Sequence, residues 1–469
     1  MARRKKTFHN VRIVDIGDRG MAIGKTEKGQ VVLVQGAVPE DVVDVLVLRM
    51  KKGLPLGIIQ ELKSLSPFRT DPFCSHFGIC GGCKWQHLEY KSQLSYKESS
   101  VENTLKRIGQ VENVEFLPIV GAESDRYYRN KLEFSFSNKR WITEEEIKSG
   151  EQFEHRDGVG FHCPGAFDKV VDVDQCWLQP DPSNQIRNVT RAYAHDHGIS
   201  FYDIKNRGGV LRSMILRSNR LGEIMIILSI FDEEIVAIEG LIEHLTNQFE
   251  AIKSVYYCVN QKGNDTILDL PLVHVFGTLH LEEHLLDVQF QIGPKSFFQT
   301  NPMQAEKLFA VAKDFAALTG DQIVYDLYCG IGSITLAFAA EAKQIIGVEE
   351  VPEAIEDAKI NAVLNKISNA HFYAGDVRFL LNQEMINRHG KPDLLVTDPP
   401  RVGMHGDVVQ TILDFAPEKI VYVSCNVSTQ ARDLKLLSEK YHVIRSQAVD
   451  MFPHTHHIEN VALLQIQAS

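Results

Sequence analysis

The 469-residue chain has no apolar run of the roughly 18 residues that a membrane-crossing helix needs. Its start, Met1-Ala2-Arg3-Arg4-Lys5-Lys6, is basic, but no apolar signal core follows. A cytoplasmic protein with no membrane partner is expected. Eight cysteines stand at irregular spacing, which points to metal binding or catalysis rather than to disulfides. Repeats and low-complexity segments are absent. Positive charge is short overall: the net charge of −11 argues against a nucleic-acid partner for the chain as a whole. The deficit is uneven, because residues 1–63 hold 12 Lys+Arg against 7 Asp+Glu. A basic module can grip phosphates on an otherwise acidic protein; a solvated N-terminus without a partner is the alternative.

The length exceeds one ordinary core, so two to four domains are expected. Residues 7–63 read as short, evenly spaced strands with turns between them, such as Val11–Ile16, Val31–Val34 and Val42–Val47. That spacing suggests a small β-barrel of the oligonucleotide-binding type over residues 1–63. Residues 64–90 are turn-rich and hold three cysteines, and one helix is expected from Ser92 to Ile108. Residues 64–290 are expected to form a central α+β domain. Residues 291–469 alternate strand and helix cleanly, with strands at Ile323–Leu327, Gln344–Val348, Ala370–Tyr373, Leu394–Thr397 and Ile420–Ser424. Two more are expected around Tyr441–Ile444 and Val461–Ile466. This is the pattern of an α/β domain built on a doubly wound, mostly parallel, Rossmann-like sheet.

Two strand ends carry chemistry. Asp326-Leu327-Tyr328-Cys329-Gly330-Ile331-Gly332 follows one strand and opens a helix. It lacks the third glycine of the dinucleotide fingerprint, and no lysine follows to cradle phosphates. The next strand ends Gly347-Val348-Glu349, whose carboxylate can accept bonds from two ribose hydroxyls. Asp376, after the third strand, can hold an adenine edge. This pattern fits S-adenosylmethionine better than a nicotinamide cofactor. The second strand end is Cys425, after the buried run Lys419–Ser424. A lone cysteine there is usually an inert thiol. Beside a sulfonium cofactor it can instead attack C6 of a pyrimidine, leaving C5 electron-rich enough to take a methyl group. A base must then remove the C5 proton, and Glu459 is the candidate. Asp398-Pro399-Pro400-Arg401 makes an extended loop at a third strand end. Asp398 can take a proton or a hydrogen bond, and Arg401 a phosphate or base oxygen. That loop alone also suits amino-methyltransferases. The histidines at 454, 456 and 457 lack the helical spacing of a metal site.

Taken together, these residues resemble the RNA uracil-5-methyltransferase family over nearly the whole chain. Ser424-Cys425-Asn426, with Thr429 and Arg432-Asp433, looks like the family's nucleophile motif. Phe452-Pro453-x-Thr455-x-His457-x-Glu459 looks like its second signature, which implies Glu459 as the base. Lys295–Asn301 resembles the cofactor-contacting segment and implies Gln299 as a ligand residue. The resemblance adds Tyr328, Ser333, Glu349, Asp376 and Asp398 on the cofactor side; Ser333 stands where some members carry asparagine. The N-terminal module resembles a TRAM domain. Cys74-x5-Cys80-Gly81-Gly82-Cys83 with a distant fourth cysteine resembles the 4Fe–4S site of one subset, and implies Cys176, with Cys163 as its rival. Four thiolates suit either iron–sulfur or zinc, but zinc sites usually show two close pairs.

The resemblance implies an S-adenosylmethionine-dependent RNA enzyme acting on C5 of one uridine, through a covalent adduct to Cys425. It leans toward 23S ribosomal RNA, with transfer RNA as the second choice and no obligate protein partner. Cytosine-5 or amino methylation, and a non-catalytic RNA-binding iron–sulfur protein, are the competing readings.

Overall fold

The computed structural model describes residues 6–17, 20–150, 152–153 and 155–467. The basic start at Met1–Lys5 lies outside them. Among the described residues, no helix is long and apolar enough to cross a membrane.

The N-terminal strands close into a barrel in the order Thr7–Ile16, Ala22–Lys25, Val31–Gln35, Leu54–Ser64 and Val42–Lys51. Alternation decides what faces inward: Val11, Ile13, Val32, Val34, Val43 and Val45 fill the interior. The barrel is tied to the following segment at one corner. Buried Asp41 accepts from Val38 N, from Ser66 N and from two nitrogens of Arg69, at 2.6–3.0 Å. Val38, Trp85 and Leu88 form a small core at the same place.

A seven-stranded sheet runs in the order Val273–Gly277, Ile252–Val259, Ile224–Ile230, Leu211–Ser218, Lys131–Ser137, Gly158–Cys163 and Ala166–Asp172. Helices Ser183–Asp196 and Ile235–Gln248 cover one face, packing Ile186, Ile238, Leu241 and Leu245 onto Leu132, Phe134, Met214 and Ile226.

The third sheet has eight strands, in the order Ala370–Ala374, Gln344–Glu349, Ile323–Leu327, Leu394–Thr397, Lys419–Ser424, Glu459–Ile466, Tyr441–Val449 and Glu115–Val120. The first five are parallel to one another, and Glu459–Ile466 runs antiparallel between its neighbours. The expected doubly wound sheet is therefore present. It includes one strand from far upstream: Glu115–Val120 pairs with Tyr441–Val449. The helix Tyr90–Arg107 precedes that strand, and its Val101 and Leu105 join the core on the same side of the sheet. The span expected to form the central domain thus gives a strand and a helix to the C-terminal sheet. Edge strands are chosen by long-range pairing, which a local pattern does not carry.

Candidate active site

The strand order reverses between Ile323–Leu327 and Leu394–Thr397, which pair side by side with Leu327 opposite Thr397. Open α/β sheets bind ligands at the carboxyl ends of strands at such a point. The turn after the first strand is shaped for close approach. Tyr328, Gly330 and Gly332 have φ of 66°, 56° and 84°, in the left-handed region. A side chain on Gly332 would also meet Phe372 at 3.2 Å. Tyr328 N and Cys329 N both donate to Val348 O, at 2.8 and 3.1 Å. Gly330 N donates to one oxygen of Glu349 at 3.1 Å, and Val351 N donates to the other at 3.0 Å. The half-buried carboxylate is thus held in one orientation, with lone pairs remaining for a diol. Ser333 is the first residue of the helix Ser333–Ala339 and is half-buried.

Asp376 caps the short helix Val377–Leu380 through Arg378 N at 2.8 Å, and pairs with the Arg378 guanidinium at 2.5 Å. An adenine edge would therefore share that carboxylate with Arg378. Gln299 lies in the stretch between the second and third sheets, where its carbonyl accepts from Asn130 Nδ2 at 3.1 Å. Beneath the turn sits Asp326, fully buried. One carboxylate oxygen accepts from Thr335 Oγ1 at 2.5 Å and the other has no hydrogen-bond partner. Burial pushes this carboxyl up to about 7, helped by nearby Asp398 and Glu349. Sequence reasoning did not single out Asp326; a carboxylate at the end of a buried strand was the available signal.

Cys425 follows its strand immediately and precedes the helix Val427–Leu437, which Asn426 caps through Ser428 N. Ser424 pairs with Asn460 in antiparallel register. Cys425, the next residue beyond that ladder, and Glu459, the buried first residue of the partner strand, therefore lie at the same end of the sheet. The electrostatics agree with that placement. Burial pushes the Cys425 thiol up to about 11; Glu459 and Asp398 add to this, and Arg401 opposes it. Burial also raises Glu459 well above the usual carboxylate range, with Asp398 adding and Arg401 opposing. Asp398 is raised by burial as well. Thiol, two carboxyls and one guanidinium therefore feel one another at the end of adjacent strands.

The Asp398–Arg401 loop is braced by the helix after Cys425. Asn426 Nδ2 and Thr429 Oγ1 donate to Arg401 O at 2.8 and 3.2 Å. Arg432 donates to Val402 O and Met404 O, and Asp433 accepts from Met404 N and Tyr422 OH. Thr429, Arg432 and Asp433 thus hold the loop. His457 lies near Arg401 and is held neutral: burial first, then His456 and Arg401, bring it down to about 4.

Cys74, Cys80, Cys83 and Cys176 line one pocket, and Cys163 does not line it. Burial pushes Cys80 up to about 11 and Cys83 to about 12, and the neighbouring thiols add to both. Among the described residues, no group of three or more His, Cys, Asp or Glu is gathered as a metal ion requires.

Residues 262–467 match the family model described as tRNA (Uracil-5-)-methyltransferase, and residues 7–57 match the TRAM domain. An uncharacterized RNA methyltransferase of Bacteroides thetaiotaomicron is 50% identical over 96% of this chain and 99% of its own length. One from Porphyromonas gingivalis is 46% identical over 97% and 99%. Among solved structures, a Pyrococcus abyssi tRNA (uracil-54, C5)-methyltransferase in complex with S-adenosyl-L-homocysteine is 29% identical. It superposes with a TM-score of 0.73, over 97% of this chain and 99% of that one. A chain so similar throughout to these proteins, with both family models matched, belongs to the RNA uracil-5-methyltransferase family, in its TRAM-bearing form.

Proposed function

We propose that the protein transfers a methyl group from S-adenosylmethionine to C5 of a uridine in structured RNA, through a covalent bond between Cys425 and C6. The observation that supports this is the gathering of Cys425, Glu459, Asp398 and Arg401 at one end of adjacent strands, where their charges act on one another. The residues of the glycine turn fit the cofactor: an oriented Glu349 carboxylate, backbone without side chains at Gly330 and Gly332, and Asp398 at the switch point. Gln299, Tyr328, Ser333 and Asp376 complete the proposed set. S-adenosylmethionine, when bound, supplies an electrophilic methyl carbon and a positive charge that offsets the carboxyls around Cys425.

The rest falls to the chain. The target base leaves its stack, because the chemistry takes place on the face of the ring. Cys425 loses its proton to the Asp398 carboxylate, which leaves Glu459 free for the later step, and its sulfur adds to C6. The C5=C6 electrons move to C5, which takes the methyl group. Glu459 then accepts the C5 proton, the C6–S bond breaks and the double bond returns. Arg401 meets a base oxygen or an adjacent phosphate. The N-terminal barrel and the central sheet grip flanking phosphates.

The four thiols on one cavity are a donor set that suits a 4Fe–4S cluster: Cys74 and Cys176 raise the proton affinity of Cys80 and Cys83, and a polyvalent cation would reverse that. We assign Cys74, Cys80, Cys83 and Cys176 as its ligands. Such a group would fix the otherwise irregular segment 65–89 against the central sheet. For the RNA itself we propose 23S ribosomal RNA, on the combination of barrel and cysteine set. Transfer RNA is the second reading, and the Pyrococcus abyssi enzyme supports it.

Transcripts incubated with labelled cofactor and digested to nucleosides test the reaction. Labelled 5-methyluridine is expected, whereas labelled 5-methylcytidine or a methylated purine overturns the proposal. Mapping 5-methyluridine in ribosomal and transfer RNA of a strain lacking the protein decides the substrate.

A further inference from the structure

The loop that leads into Glu459 is clamped from far away in the sequence. Helix Tyr90–Arg107 presents Tyr90, Gln93 and Lys97 at i, i+3 and i+7, one face of a helix. All three reach the segment between Val449 and Glu459. Lys97 Nζ donates to Asp450 Oδ1 at 2.6 Å and to Phe452 O at 3.1 Å. Tyr90 OH donates to Asp450 Oδ2 at 3.0 Å, and Phe452 N donates to Asp450 Oδ1 at 3.1 Å. Gln93 accepts from His454 N at 2.9 Å, and its Nε2 lies 3.2 Å from His454 Nδ1. Lys97 is 1% exposed and Asp450 is 0% exposed.

A fully buried ion pair is weak evidence for stability, because desolvation offsets much of its attraction. A role in fixing geometry is the better account. Asp450 directly follows Val449, and Val449 pairs with Glu459 across the same hairpin. The pair therefore sits at the root of the nine-residue connection whose far end is the proposed base. His454, held in the left-handed region at φ 63°, is pinned by Gln93 in the middle of that connection.

We infer that Lys97 is a positioning residue: through its buried pair with Asp450 it holds the hairpin so that the Glu459 carboxyl stands over the C5 proton. This rests on the reaction proposed above. Lys97 touches neither substrate nor cofactor in this role, so the two chemical stages should separate. Addition of Cys425 to C6 does not need Glu459 in place, but release of the product does.

The test uses the full-length holoprotein and two RNA substrates, one with uridine and one with 5-fluorouridine at the target. Lys97→Met is measured beside the wild type and Glu459→Gln. Wild-type protein must first trap the fluorinated RNA as an adduct; if it does not, the proposed reaction fails, not this inference. Given that adduct, Lys97→Met is expected to trap fluorinated RNA at close to the wild-type rate. Its turnover on uridine RNA is expected to fall on the order of a hundredfold, as for a catalytic group displaced by about 1 Å. A covalent, methylated complex should accumulate with that RNA, as for Glu459→Gln. Should Lys97→Met fail to fold with Asp450 left unpaired, Lys97→Met/Asp450→Leu removes both charges and is read the same way. Wild-type turnover in a folded variant overturns the inference. So does a parallel loss of fluorouridine trapping, which would mean a merely structural role.

Discussion

Replacing Glu459 with glutamine separates the two halves of the proposed reaction. The change keeps size and shape but removes the proposed proton acceptor, which is buried at the Cys425 end of the sheet. Cys425, the glycine turn and Arg401 are untouched, so addition to C6 and methyl transfer to C5 remain possible. What stops is removal of the C5 proton, a step to which a placed general base contributes about 10²- to 10⁴-fold. The expected outcome is one methyl group transferred per protein molecule, followed by a stall with RNA joined to the protein. Denaturing electrophoresis with cofactor labelled in the methyl group reads this directly, as label migrating with protein that ribonuclease trims but does not remove. Stability should not fall with the activity. Burial raises the Glu459 pKa, so the folded chain holds that proton more tightly than the unfolded chain does. The stabilisation is complete below about pH 4.3, the unfolded value, and is lost as pH rises through the folded value. Glutamine does not titrate, so the variant should gain on the wild type as pH rises. Multiple turnovers at the wild-type rate, or a variant that never joins RNA, would refute the reasoning.

Three further outcomes follow from the geometry. Asp398→Asn removes a negative neighbour that raises Glu459, so the acid limb of single-turnover product release should move to lower pH; a limb that stays or moves upward contradicts the shared electrostatics. Gly347→Ala puts a Cβ 2.9 Å from both Cys329 Sγ and Phe372 Cδ1 beneath the cofactor turn, and should cost about 1–3 kcal/mol by urea unfolding. Cys176→Ser should lower bound iron and visible absorbance in anaerobically prepared protein, whereas Cys163→Ser should leave both unchanged, because Cys163 lies off the cavity that the other four share.

Much of the site was legible because its parts are local. A glycine turn between strand and helix, an acidic end on the next strand and a cysteine closing a β-branched run each announce themselves within a few residues. Beyond a carboxylate near the end of a buried strand, sequence pattern did not show that Asp326 keeps one oxygen unpartnered, or that Thr429, Arg432 and Asp433 brace the Asp398 loop. Helix Tyr90–Arg107 reads as an ordinary amphipathic segment, and its Lys97 would pass for a solvated charge. Its partner Asp450 is 353 positions away.

By itself, then, the sequence determined the periodic elements and the glycine turn, and nominated the candidate reactive groups, because side-chain period and turn chemistry act over one or two turns of chain. The tertiary structure decided which groups face each other. It paired the strand before Cys425 with the strand that Glu459 opens, recruited Glu115–Val120 to the far edge of the sheet, and buried Lys97 against Asp450. Register and burial are set by long-range pairing, whose energy is spread over many contacts, so no single stretch of residues records them.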